Sequence, residues 1–232
     1  RADATDGSES LHARSLVARG DEGPGRFRLL ETLKAYAEDR LVDADEARSV
    51  RARHVEHYLA AGRADEWEMF GGDAARAAAL APDRANLRLC LDELEHGERW
   101  DDLAALLVGT TTVLLEDDTL GTRIVRCRRL VDDDRRDRLM ASQMLIAIWQ
   151  ADWPTFLACS VGLHSSSDPI RAASGAWGLA LVNGHSDLRR ARRYAEEISE
   201  SRRVLADDAL TVLEAWAWMI IAAHECDMAA LE

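Results

Sequence analysis

From Glu31 onward, apolar residues recur at helical spacing almost without a break, and this leaves little room for anything but an all-helical fold. Leu87, Cys90, Leu91 and Leu94 stand at i, i+3, i+4 and i+7. Leu33, Tyr36, Ala37 and Leu41 mark an earlier helix, and Val50, Val55, Tyr58 and Leu59 the next. Later stripes are Trp100, Leu103, Leu107 and Leu114; Met140, Met144 and Ile148; Trp153, Phe156, Leu157 and Val161; Ile170, Trp177 and Leu181; Leu188, Ala191, Ala195 and Ile198; and Leu213, Trp216 and Ile220. Stripes of this width face a core. Start and stop signals agree: Asp168 before Pro169 is an N-cap with proline at the first helical position, and Pro82 and Pro154 sit where first turns belong. Gly97, Gly121 and Gly184 read as helix ends.

Polar turns that separate these helices repeat. Residues 95–103, 149–153, 183–188 and 223–228 each combine a polar turn, an aspartate and a large apolar residue near a helix start. Asp152, Asp187 and Asp227 are spaced 35 and 40 residues apart. Periods of ~34–45 residues with two helices each belong to TPR-like and related solenoids, because one helix pair cannot bury its apolar face alone. On this reading the chain stops about one turn (~4 residues) into a helix capped by Asp227, inside a longer protein.

The N-terminal segment departs from the helical pattern. Residues 1–10 read as a disordered lead-in. Residues 15–18 and 27–30 flank a Gly/Pro-rich turn at 20–25, which predicts a β-hairpin. The expected organisation is therefore lead-in, hairpin and helix over residues 1–42, then a helical-repeat domain over 43–232.

Three segments, in order, resemble a known family. Residues 26–41 (RFRLLETLKAYAEDRL) resemble the end of the winged-helix segment of STAND-class regulators, which are large NB-ARC-like ATPases. Many are bacterial transcription factors of the LuxR or SARP type. Residues 53–59 (RHVEHYL) and 83–88 (DRANLR) resemble two further helix motifs of that family. The resemblance covers roughly residues 15–94. It implies an upstream nucleotide-binding domain in the same chain, restrained by helical repeats that sense a protein or small-molecule effector. This chain has neither a Gly-x-x-x-x-Gly-Lys-Ser/Thr loop nor a helix-turn-helix reader, so ATP or ADP is expected only upstream, and no cofactor in this segment.

The formal net charge of −13 disfavours contact with nucleic acid, and no apolar run is long enough to span a bilayer; together with the polar start, this predicts a cytoplasmic segment. Few residues suggest chemistry. His54 and His57 lie on one helix with no third metal ligand placed by sequence. The carboxylate runs 116–118 and 132–134 read as caps and linkers, and His164 with Ser165, Ser166 and Ser167 as a loop without a nucleophile elbow. Cys90, Cys127, Cys159 and Cys226 read as small buried thiols. Arg14, Arg19, Arg26 and Arg28 of the hairpin have the makings of a DNA-contacting wing, but in this family the winged-helix segment works as an internal packing module. The dense arginines Arg189, Arg190, Arg192, Arg193, Arg202 and Arg203 are expected to pair within their helix with Glu196, Glu197 and Glu200. The residues expected to meet a partner are Trp177, Trp216, Trp218, Arg189 and Arg193, with Trp216 and Trp218 facing different ways. The sequence thus points to a non-catalytic sensor region of a regulator. A stand-alone TPR-like adaptor and a helical appendage of a signalling enzyme are the alternatives.

Overall fold

The structure is a computed structural model that describes residues 11, 12, 14, 16–19, 27–62, 74–205 and 207–229. Among them the fold is almost wholly helical, with one two-stranded antiparallel sheet. The chain divides into two compact units, Arg1–His57 and Tyr58–Glu232.

In the first unit β1 (Val17–Arg19) pairs antiparallel with β2 (Phe27–Leu29), Val17 opposite Leu29. This is the predicted hairpin; its turn at residues 20–25 and the lead-in at 1–10 lie outside the described residues. His12 Nδ1 donates to Val17 O at 3.0 Å and its ring stands 5.9 Å from that of Phe27, which closes one end of the pair. Helix α1 (Glu31–Asp43) follows at once. Its predicted apolar stripe does not reach a core. Leu33, Ala37 and Leu41 are half-buried, and Tyr36 is 61% exposed beneath the Arg40 guanidinium. Periodicity says which face is apolar; whether that face is covered depends on a partner surface. α2 (Ala47–Gly62) carries the chain across the division between units.

The second unit begins with Tyr58 and Leu59, both buried. It continues through α3 (Ala74–Leu80), a 3-10 turn (Ala81–Asp83), α4 (Arg84–His96), α5 (Trp100–Thr110) and α6 (Leu120–Cys127). Leu87, Cys90, Leu91 and Leu94 are all at most 1% exposed, as their spacing predicts. Gly121 is the exception among the punctuating glycines. It lies in the first turn of α6 and ends nothing, because the stop before α6 is made by residues 111–119, where Asp117 accepts the Thr119 N–H.

Five helices complete the unit: α7 (Asp133–Trp149), α8 (Trp153–His164), α9 (Pro169–Gly184), α10 (Leu188–Leu205) and α11 (Asp208–Ala229). Each packs on the next, and α9 also packs on α7 and α11. Aspartates start them. Asp132, Asp152, Asp168 and Asp187 accept the N–H of Arg135, Thr155, Arg171 and Arg190 at 2.9–3.2 Å, and Asp207 accepts that of Ala209 at 2.8 Å. Asp152 and Asp187 are therefore helix starts 35 residues apart, as predicted. Asp227 is not one. α11 runs 22 residues straight through it, since the segment around it offers alanine, glutamate and methionine without glycine or proline to stop a helix. The fourth predicted turn does not exist.

Three helix ends share a reversal. Asp45, Glu98 and Ala151 have φ of 57°, 52° and 55°. In each case the next residue's N–H bonds back across the turn, Glu46 to Leu41, Arg99 to Leu94 and Asp152 to Ala147, at 2.8–2.9 Å. This is the Schellman pattern, made here with non-glycine residues in the left-handed region.

One core unites α7 to α11: Met144, Phe156, Cys159, Leu163, Trp177, Ala191, Ala195, Ile198, Leu210, Leu213 and Ile221 are among its members. Small residues set its closest approach. A Cβ on Gly175 would stand 2.1 Å from the His164 backbone nitrogen, and one on Gly178 2.1 Å from Ser160 Oγ, so α8 and α9 touch nearly backbone to backbone.

Candidate interaction surface

The groups with chemical potential are mostly engaged in holding helices. Asp117 accepts from Arg88 at 2.5 Å and caps Thr119. Burial alone would push its carboxyl up, but the Arg88 and Thr119 hydrogen bonds outweigh that and hold it below the usual carboxylate range. Asp134 accepts from Arg171, a buried α9 side chain, at 2.8 Å and from Arg138 at 3.1 Å. Here too burial is outweighed by the arginines, and the carboxyl titrates low. Asp132 caps α7 and pairs with Arg135, and Asp133 pairs with Arg136.

His164 and the serines after it do not assemble. His164 Nε2 meets Glu197 Oε2 at 2.8 Å, Ser166 donates to Asp137 and Ser165 to Val161 O. His54 is half-buried and His57 exposed; no group of three or more His, Cys, Asp or Glu among the described residues is placed to hold a metal ion. Arg14 and Arg28 are exposed, Arg28 lying 3.9 Å from Glu31, while Arg26 is outside the described residues.

Cys90, Cys127 and Cys159 are buried, as expected, and the side chain of Cys226 lies outside the described residues. Cys90 is pushed up to about 11 by burial and then by Glu93, and Cys127 to about 12 by burial, Asp101 and Glu95. Burial also raises Cys159.

The α10 arginines correct the expectation of pairing within the helix. Arg192 reaches Glu225 and Arg202 reaches Glu214, both on α11, and Glu197 is taken by His164 of α8. Arg203 pairs with Glu200 on its own helix, and Arg192 also feels Glu196 of α10. Neighbouring helices lie close enough to compete with i, i+4 positions, which periodicity on one helix does not reveal. Arg189 and Arg193 are exposed, without an ion pair among the described residues.

The tryptophans separate. Trp177 is 8% exposed, a place in the core and not on an open groove. It stands edge-on to Phe156 at 6.1 Å and 5.7 Å from the half-buried Trp216. Trp218 points elsewhere, its indole N–H donating to Ser199 of α10 at 3.3 Å. Trp153 meets Phe156 edge-on at 5.9 Å, so four aromatic rings run from α8 through α9 to α11, open at the Trp153 end.

That open end belongs to a face the sequence reading misassigned. Of the stripe Trp153, Phe156, Leu157 and Val161, only Phe156 is buried. The core face of α8 is Phe156, Cys159, Ser160 and Leu163. Trp153, Leu157 and Val161 are 53%, 39% and 52% exposed, and Trp149, just before the turn into α8, is 62% exposed. They stand at i, i+4 and i+8 on α8, about 100° round the helix from the buried stripe. From Trp153 to Leu163 the helix carries no charged residue, so two apolar faces look like one in the sequence.

An open groove of about 510 Å³ lies between the end of α4, the start of α5 and α6, lined by Asp92, Glu95, His96, Glu98, Trp100 and Arg126. Arg126 pairs with Glu95 at 2.6 Å and lies 5.5 Å over the Trp100 ring, and Arg123 ties Asp92 to Glu95.

Two of the three family-like motifs meet in space. Asn86 Nδ2 donates to Tyr58 OH at 2.9 Å and to Asp83 Oδ1 at 3.3 Å, and burial, then Asp83, raises the tyrosine's titration. These residues fasten Tyr58 to the start of α4 within the second unit. No family model, curated protein or solved structure matches the chain. Among the described residues no helix is long and apolar enough to cross a membrane.

Proposed function

We propose that this chain is the non-catalytic sensor and protein-interaction region of a multidomain, cytoplasmic, ATP-dependent transcriptional regulator. It works as a TPR-like stack of helix pairs that binds a partner and restrains an upstream nucleotide switch. The observation that carries the interaction reading is the outward face of α8 with Trp149, Trp153, Leu157 and Val161, an apolar strip in a chain with 31% charged residues. Its occupant is a protein partner presenting an apolar helix. The strip is helix-length, with anchors one turn apart, and it is not a concavity that would enclose a small molecule. The repeat reading is supported by helix starts at Asp152 and Asp187 and by each helix packing on the next. The regulator reading rests on the three motifs and on the meeting of Tyr58, Asp83 and Asn86.

Two experiments test the two parts separately. The reading frame upstream of Arg1 is expected to encode a phosphate-binding Gly-rich loop with its lysine; a frame that encodes none sinks the regulator reading and leaves a stand-alone adaptor. A photo-crosslinking amino acid placed at Leu157 in the natural full-length protein is expected to give a discrete protein adduct, and one at exposed Arg203 none. Equal labelling at both positions, or none at either, defeats the interaction reading.

A further inference from the structure

His185 and His224 meet where the turn after α9 touches α11. His185 Nδ1 and His224 Nε2 are 2.5 Å apart, with ring centroids at 4.1 Å and an interplanar angle of 81°. His224 Nδ1 lies 2.7 Å from Ile220 O. A carbonyl oxygen only accepts, so Nδ1 of His224 carries a proton and its Nε2 is the acceptor in the neutral ring. His185 Nδ1–H then donates to it. The approach depends on Gly184, where a Cβ would stand 2.9 Å from Ile220 Cγ2 and 3.7 Å from the His224 ring.

The charged groups around the pair lie on α10, α11 and the turn that joins α9 to α10. Glu225, next along α11, is held by Arg192 of α10; Asp187, in the same turn as His185, accepts the Arg190 N–H; Arg189 is exposed at the start of α10. Asn183 of α9 donates to Leu179 O. Neither imidazole is hydrogen-bonded to a carboxylate among the described residues.

We propose that His185 and His224 form a proton-sensitive latch that fastens the turn after α9 to α11 and opens in acid. With no added proton the pair keeps one hydrogen bond. A first added proton is held on the outer nitrogen of His185 and makes that bond charge-assisted, which strengthens it. A second puts N–H against N–H and cation against cation, and the contact is lost. The hydrogen bond between the rings thus survives one added proton and not two. As pH falls through the histidine range, near 6.5, the latch's contribution first rises and then disappears.

The test is a double-mutant cycle on the full chain with His185→Gln, His224→Gln and the pair, unfolded in urea at pH 8, 6.5 and 5. The cycle cancels His164 and the other histidines, which all four proteins share. The 185–224 coupling is expected to favour folding by roughly 2- to 10-fold at pH 8, by more at pH 6.5, and by no more than about 1-fold at pH 5. Coupling that is absent at pH 8, or unchanged at pH 5, overturns the latch. Imidazole nitrogen NMR on wild-type protein keeps the question decidable should a variant fail to fold. His224 is expected as the Nδ1–H tautomer at pH 8; an Nε2–H tautomer overturns the proposal.

Discussion

At the scale of single residues, side chains that look reactive or merely polar in the sequence hold the frame. Arg171 is nearly fully buried in α9 and depends on Asp134, which is itself 58% exposed. Asp134→Asn takes the carboxylate charge away from this buried guanidinium, and the expected loss, read by urea unfolding at pH 7, is about 1–3 kcal/mol. The sign with pH follows from the lowered carboxyls of Asp134 and Asp117. Their contribution is complete above the unfolded value near 3.9 and is lost as pH falls through their lower folded values, so it weakens only in strong acid. Ala151 makes the opposite case. It sits at φ 55°, where a Cβ is unfavourable. Ala151→Gly is expected to gain about 0.5–1 kcal/mol, read as a raised unfolding midpoint with unchanged slope. Cys90, Cys127 and Cys159 are expected to resist a thiol reagent at pH 8 until the chain is unfolded. Labelling of any of them at the rate of a free thiol in native protein would contradict the burial that raises them.

Elements are specified by what begins them and by which stripe finds a partner. Asp168 accepts two first-turn N–H groups of α9, and Asp168→Ala is expected to cost about 0.5–2 kcal/mol, visible as faster amide exchange in that turn. On α8 the two apolar faces are told apart by substitution. Phe156→Ala removes a fully buried ring and is expected to cost about 3–5 kcal/mol, whereas Leu157→Ser and Val161→Ser should stay within about 0.5 kcal/mol. Equal losses from both faces would mean that the strip is covered in the folded chain and not free to meet a partner. The sequence shows the same uncharged run on both faces. Choosing between them takes the positions of α7 and α9, because a helix buries the side its neighbours reach.

For the whole molecule, the stack from α7 to α11 is held by neighbour contacts, and its tightest seam is between α8 and α9. Gly175→Ala is expected to destabilise the second unit by about 3 kcal/mol or more, beyond ordinary overpacking, because the obstacle is backbone that cannot rotate away. The all-helical class, the hairpin, the buried stripe of α4 and the caps at Asp152, Asp168 and Asp187 were legible in the sequence. They are local consequences of spacing, capping chemistry and turn residues within a few positions. The exposure of α1 and of Trp153, Leu157 and Val161, the burial of Trp177 and the straight course of α11 past Asp227 were not. Neither were the pairing of Arg192 and Arg202 with α11 or the meeting of His185 with His224. The physical reason is the same in each case: which elements exist and where they begin is decided within about one helical turn of the chain, while burial and partnership depend on surfaces brought together from residues further apart, as Arg202 and Glu214 or His185 and His224 are. The sequence by itself determined the helices; only the tertiary structure decided which of their faces meet.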